Sequence, residues 1–207
     1  MNVNIVKDGE YEFNNFIYTT QKSLDENCCS EIIRLFEHSN KTHKGVVGGG
    51  VLSENIKKTR DLHMSMDKDV FKDIDKLLYD QLHKHLYKYL VITNQPCFTL
   101  PATQFTDSGF QIQKYEKNTG FYEYHNDETI RHEYNDYRVL SYIWYLNNVE
   151  IGGETEFGGN VKIKPETGKL VLFPASWTFP HCGLMPIDND KYIVTGWIYS
   201  KYGKTIS

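Results

Sequence analysis

"YRVLSYIWYLN", residues 137–147, decides the fold class of this chain. It is rich in β-branched and aromatic side chains, which suit a pleated, half-buried surface. Similar runs lie on either side of it. "FQIQKY" (110–115) alternates, and "GGETEFGG" (152–159) reads as turns around a short strand. "GKLVLFPA" (168–175) and "KYIVTGWIYS" (191–200) are further strands. Upstream the period lengthens. "SLDENCCSEIIRLFEHS" (23–39) repeats Leu24, Cys28, Ile32 and Leu35 at helical spacing, and Ser23 with Glu26 reads as a capping box. "KDVFKDIDKLLYDQLHKHLYKYL" (68–90) carries an apolar stripe of Val70, Ile74, Leu77, Leu78, Leu82, His85, Leu86 and Tyr89. Helices followed by a run of strands predict an α+β fold, a β core with N-terminal helices packed on one sheet. At 207 residues with short connections, one domain is expected, with a mainly helical support region over 1–96 and the β core over 97–203.

Composition narrows the function. Hydrophobic content of 40% and charged content of 24% are globular values. The net charge of −4 and the lack of any Lys/Arg block argue against a nucleic-acid partner. No apolar run reaches membrane-spanning length. "GVVGGGV" (45–51) lacks the spacing of a phosphate cradle. The four cysteines, Cys28, Cys29, Cys97 and Cys182, show no CxxC spacing, and the opening "MNVNIVKDGEYEFNN" has no apolar core of a signal peptide. A cytoplasmic location in a reducing compartment is the expectation.

The chemistry is concentrated in "FYEYHNDETI" (121–130), where His125 and Asp127 sit two apart. Chance alone gives about half an HxD in a chain with eight His and thirteen Asp, so the pair is weak by itself. On a strand, however, residues two apart point to one face and offer an imidazole and a carboxylate to one metal. His181, in "LFPASWTFPHCGLMP" (172–186), is the third candidate, and the intervening chain is long enough to return it from the opposite sheet of a sandwich. Two His and one carboxylate form the facial triad of non-haem Fe(II) oxygenases, with zinc the rival metal. Lys191 follows His181 after the turn-rich "CGLMPIDND" (182–190). If that loop closes a hairpin, Lys191 returns beside His181, a lone cation suited to the far carboxylate of a dicarboxylate cosubstrate.

The ordered set "QKY", "GFYEYHND", "RVLSYIWYLN", "GGETEF", "GKLVLFPASWTFPHCG" and "KYIVTGW" resembles the 2-oxoglutarate/Fe(II)-dependent dioxygenases, and within them the prolyl 4-hydroxylase-like branch. The resemblance is close over residues 100–200 and loose before them. It implies a double-stranded β-helix, or jelly roll, with Fe(II) held by His125, Asp127 and His181. It implies 2-oxoglutarate as cosubstrate, its distal carboxylate paired with Lys191 and hydrogen-bonded by Tyr115 and Ser141, where Ser141 stands in for the usual Thr. Trp197 matches a Trp close to the site, and Tyr122 matches an aromatic position. O2 is the oxidant, with ascorbate in support. The implied reaction is hydroxylation of an unactivated C–H bond, with a prolyl residue of a peptide or protein as first substrate and a small molecule as second. The loop "ETIRHEYNDYR" (128–138) reads as a lid or substrate contact through Arg131 and Arg138, or as a solvated loop. Two other classes compete: a zinc or manganese jelly-roll enzyme that does not use 2-oxoglutarate, and a β-sandwich binding module without catalysis. Ser141, Lys191 and Trp197, falling where the branch has them, argue against both.

Overall fold

The structure, a computed structural model, describes residues 6–8, 11–93 and 105–201, so Cys97 and the start of the expected β core lie outside it. Strands β1 (Val6–Asp8), β2 (Tyr11–Asn14) and β3 (Ile17–Thr20) form an antiparallel meander. Helix α1 (Glu26–His38) follows, then the short strands β4 (His43–Lys44), β5 (Lys57–Lys58) and β6 (Arg60–His63), and the long helix α2 (Lys68–Ile92). Next come β7 (Phe105–Asp107), β8 (Gln111–Tyr115), β9 (Phe121–His125), β10 (Ile130–Arg131) and β11 (Asp136–Tyr145). The last five strands are β12 (Thr155–Phe157), β13 (Val161–Ile163), β14 (Leu170–Pro174), β15 (His181–Gly183) and β16 (Lys191–Lys201).

Two antiparallel sheets result. The larger runs β1-β2-β3-β14-β11-β16-β8-β6-β4, with β10 on β11 and β7 on β16; the smaller runs β13-β12-β15-β9-β5. This is the jelly roll with helices on one sheet. The first hundred residues supply strands as well as helices. β3 extends the larger sheet past β14, and β6 and β4 extend it past β8. Runs of two to four residues are too short to show a period of two, which is why the sequence did not announce them.

Alternation along β11 builds two cores. Leu140, Tyr142 and Trp144 face the helices with Ile32, Phe36, Leu78 and Leu82. Ile143 and Tyr145 face the smaller sheet, with Tyr115, Phe173, Ile193 and Phe157. Trp144 is wholly buried, and its indole N–H donates to Ser23 Oγ at 3.1 Å. Burying a ring of that size stabilises by roughly 4–6 kcal/mol.

The helices differ from expectation in detail. Asp25, not Ser23, caps α1: its carboxylate accepts from the Cys28 N–H at 2.8 Å, while Ser23 serves Trp144. In α2 the buried stripe is Phe71, Leu78, Leu82, His85, Leu86 and Tyr89, whereas Val70 and Leu77 are exposed. The stripe enters at Phe71 because a helix of 3.6 residues per turn aligns 71 with 78, 82 and 85. His85 is satisfied in the core by the Tyr18 hydroxyl at 2.9 Å. Among the described residues no helix is long and apolar enough to cross a membrane.

Candidate metal centre

His125 ends β9 and His181 opens β15, and the two are register partners on adjacent antiparallel strands. His181 therefore comes from the neighbouring strand of the same sheet, not from the opposite one. Direct cross-strand pairing brings two side chains within about 5.5 Å, a closer approach than sheet-to-sheet packing near 10 Å allows. Asp127 lies two residues past His125, where the chain leaves β9. Its carboxylate oxygens stand 3.8 Å from His125 Nε2 and 3.6 Å from His181 Nε2. The ligand atoms of the three residues all lie within 4.8 Å of one another.

Each imidazole is fixed from behind. His125 Nδ1 meets the Glu123 carbonyl at 2.8 Å, and His181 Nδ1 meets the Phe179 carbonyl at 3.1 Å. A proton held on Nδ1 by a carbonyl leaves Nε2 as a lone-pair donor facing Asp127. Burial, reinforced by the neighbouring His181, pushes the His125 pKa below its ordinary value, so the ring is neutral at neutral pH. For Asp127 burial acts upward, but the two histidines, the Ser141 hydroxyl and Arg138 together hold it below the usual carboxylate range. Two imidazole nitrogens and one carboxylate, held to one point, suit a divalent transition metal.

Lys191 opens β16 but makes no hairpin with β15. The intervening loop crosses between the sheets, and Lys191 pairs with Tyr115 on β8. The side chain is buried, its Nζ donating to the Gly153 carbonyl at 2.9 Å and lying 3.8 Å from the Tyr115 ring centre. Burial pulls its pKa down to about 7, against the opposing pull of Glu154 and Cys182. The carbonyl is offered by a turn only glycine permits: Gly152 has φ +73°, and a Cβ there would meet the Met185 carbonyl oxygen at 2.4 Å. Tyr115 donates to Gln113 Oε1 at 3.2 Å. One narrow cavity of about 40 Å3 is lined by Tyr115, Lys191, Trp197 and all three triad residues.

Ser141 lies against the metal-ligand candidate Asp127. Its hydroxyl donates to Asp127 Oδ2 at 2.6 Å. It pairs with Trp197, six residues along β16 from Lys191, which is about 20 Å of extended strand. The hydroxyl bond orients the aspartate. Tyr145 lies four residues further along β11. It shares the inward face of Ser141, pairs with Ile193, and donates to Thr155 Oγ1 at 2.6 Å. Alternation in "SYIWY" carried that signal. Gln113 and Thr155, which also line the cavity, had no comparable signal.

The 128–138 loop is tied down. Arg131 pairs with Asp136 at 2.6 Å and covers the Tyr199 ring at 3.5 Å. Arg138 donates to the Asp127 carbonyl at 3.2 Å and to the Tyr199 hydroxyl, and lies 3.7 Å over the Trp197 ring. A β-bulge between Arg138 and Leu140 makes this possible. Without the extra residue Arg138 would share the helix-facing side with Leu140; with it, Arg138 joins the pocket side. Trp197 Nε1 is buried without a partner among the described residues. A larger apolar cavity of about 690 Å3 lies beyond Arg138, with Glu128, Ile130, Val139 and Leu90 in its wall.

Residues 110–199 match the 2OG-Fe(II) oxygenase superfamily. A search of curated proteins finds no match. Among solved structures, the chain is similar to a prolyl hydroxylase from Trichoplax adhaerens in complex with a hypoxia-inducible-factor oxygen degradation domain peptide fragment. Identity there is 18% and TM-score 0.68, over 90% of this chain and 84% of that one. It is similar to the viral collagen prolyl hydroxylase of Paramecium Bursaria Chlorella virus-1 in its 2OG complex, at 18% identity and TM-score 0.61, over 90% and 97% of the two chains. It is also similar to a prolyl-4-hydroxylase from Pseudomonas putida, at 18% identity and TM-score 0.61, over 88% and 91%. At that identity the likeness is one of fold.

Proposed function

We propose that this chain, a member of the 2OG-Fe(II) oxygenase superfamily by its residues 110–199, hydroxylates an unactivated C–H bond of a prolyl residue in a peptide or protein. The observation that carries the reading is one cavity with a two-His, one-carboxylate cluster facing it and a buried lysine at its wall. The prolyl preference is supported by the fold shared with three prolyl hydroxylases, one of them holding a peptide.

The donor set fits Fe(II): His125, Asp127 and His181 would hold it. Lys191, with Tyr115 beside it, would take the distal carboxylate of 2-oxoglutarate. When bound, these groups supply insertion of one atom of O2 into a C–H bond, the other entering succinate as 2-oxoglutarate loses CO2. The chain's own contribution is placement. Glu123 and Phe179 carbonyls fix the imidazoles, Ser141 and Arg138 fix Asp127, and Lys191 trades the Gly153 carbonyl for the incoming carboxylate. Ile143, Ile193 and Phe173 give the inner core an apolar wall that keeps water from competing. A zinc enzyme without 2-oxoglutarate would leave the buried Lys191 with no anion to serve.

The test is spectroscopic. Fe(II) and 2-oxoglutarate are added without oxygen, and the visible charge-transfer band of the chelate is recorded. It is expected in the wild type, weakened in Lys191→Ala and absent in Asp127→Ala. Metal binding without that band would rule out the dioxygenase reading. Succinate release with proline-containing peptides, against free proline, then tests the substrate.

A further inference from the structure

Away from the metal ligands, one buried ion pair sits where the chain passes from the smaller sheet to the larger. Lys57 on β5 and Asp61 on β6 lie either side of that corner, their Nζ and Oδ2 2.7 Å apart, both almost wholly buried. Each partner leads to the site. Lys57 is the register partner of Tyr122 and its ammonium lies 5.2 Å from the centre of that ring. The Tyr122 ring lies on the His125 imidazole, with centroids 3.6 Å apart and 16° between planes. Asp61 is the register partner of Gln113 and accepts from Gln111 at 3.4 Å. Gln113 donates to Gln111, and Tyr115 donates to Gln113.

A buried ion pair is a weak stabiliser, since an apolar pair of similar volume serves a sheet corner as well or better. Its retention here has a directional use. The Glu123 carbonyl restrains His125 at Nδ1 only, and rotation about that contact would swing Nε2 away from Asp127. The Tyr122 ring blocks that rotation, and a desolvated ammonium near the ring holds it in turn. We propose that Lys57, anchored by Asp61, is a positioning residue for the metal ligand His125, acting through the Tyr122 ring. The inference rests on the metal reading of the triad and adds to it a residue 68 positions upstream of His125, outside the cavity wall.

The test uses the metal-free full chain and Co(II) as the probe, read by its dissociation constant and its visible ligand-field spectrum. Removing one partner alone would strand the other charge in the interior and could unfold the chain, so Lys57→Met is combined with Asp61→Asn. The double variant is expected to bind Co(II) about tenfold more weakly than wild type, with an altered spectrum, while the metal-free melting temperature stays close to wild type. Tyr122→Leu should give a similar loss, Tyr122→Phe should not, and adding Tyr122→Leu to the double variant should cost little more. Lys57→Arg, which keeps the cation, should retain most of the affinity. Wild-type affinity and spectrum in the double variant overturn the proposal. A wild type that binds Co(II) no better than Asp127→Ala removes the metal reading itself, and the proposal with it, so the two failures are distinct.

Discussion

Lys191 has a backbone carbonyl and an aromatic face for partners, and burial brings its pKa to about 7 against an ordinary 10.5. Between those values the unfolded chain holds a proton that the folded chain has lost. Stability contributed by this group therefore rises with pH from about 7 to 10.5 and is lowest at and below pH 7. Lys191→Met should raise the melting temperature at neutral pH and flatten that slope, both read in melts across the pH range. The same change should weaken 2-oxoglutarate binding, an exchange of stability for function. In the wild type, affinity for the dicarboxylate should fall as pH rises above about 7, with proton uptake on binding, seen by calorimetry in buffers of different ionisation heat. Ser141 acts on Asp127. Ser141→Ala should weaken metal binding about tenfold, Ser141→Thr should not, and metal titration separates the two.

At the scale of elements, α1 and α2 owe their stability to different ends of the same physics. The Asp25 carboxylate satisfies an N–H that the first turn leaves unpaired, so Asp25→Ala should cost about 1 kcal/mol. Leu82, wholly buried between α2 and the larger sheet, should cost about 2–5 kcal/mol as Leu82→Ala, while Leu77→Ala, on the exposed side, should change little. Urea midpoints with an unchanged slope would give both values. β11 shows the opposite case, where one inserted residue matters more than any side chain. Its bulge turns Arg138 from the helices to the pocket, where it spans Asp127, Trp197 and Tyr199.

Across the whole molecule, the triad brings β9, β15 and the segment after β9 to one point, its ligand atoms all within 4.8 Å of one another. A ligand that binds only the folded state stabilises it by about 2.7 kcal/mol at a hundredfold excess over its Kd. Co(II) should therefore raise the melting temperature of the wild type and leave Asp127→Ala unmoved, a shift that thermal denaturation measures directly.

Much of this was written in local pattern. The alternation of "YRVLSYIWYLN" set the two faces of β11, and the helical period set α1 and α2, because those repeats depend only on neighbours in the chain. The residue types of the triad, and the lysine after it, were legible for the same reason. Which strands met was not. His181 pairs with His125 within one sheet and Lys191 crosses to the other, since the loops before them are long enough for either course. The Ser141–Asp127 bond, the turn of Arg138 and the Lys57–Asp61 corner depend on registers and a bulge fixed only when both sheets pack. Sequence determined the chemistry this chain carries; tertiary packing decided which atom faces which, because side-chain approach is set by strand register and not by distance along the chain.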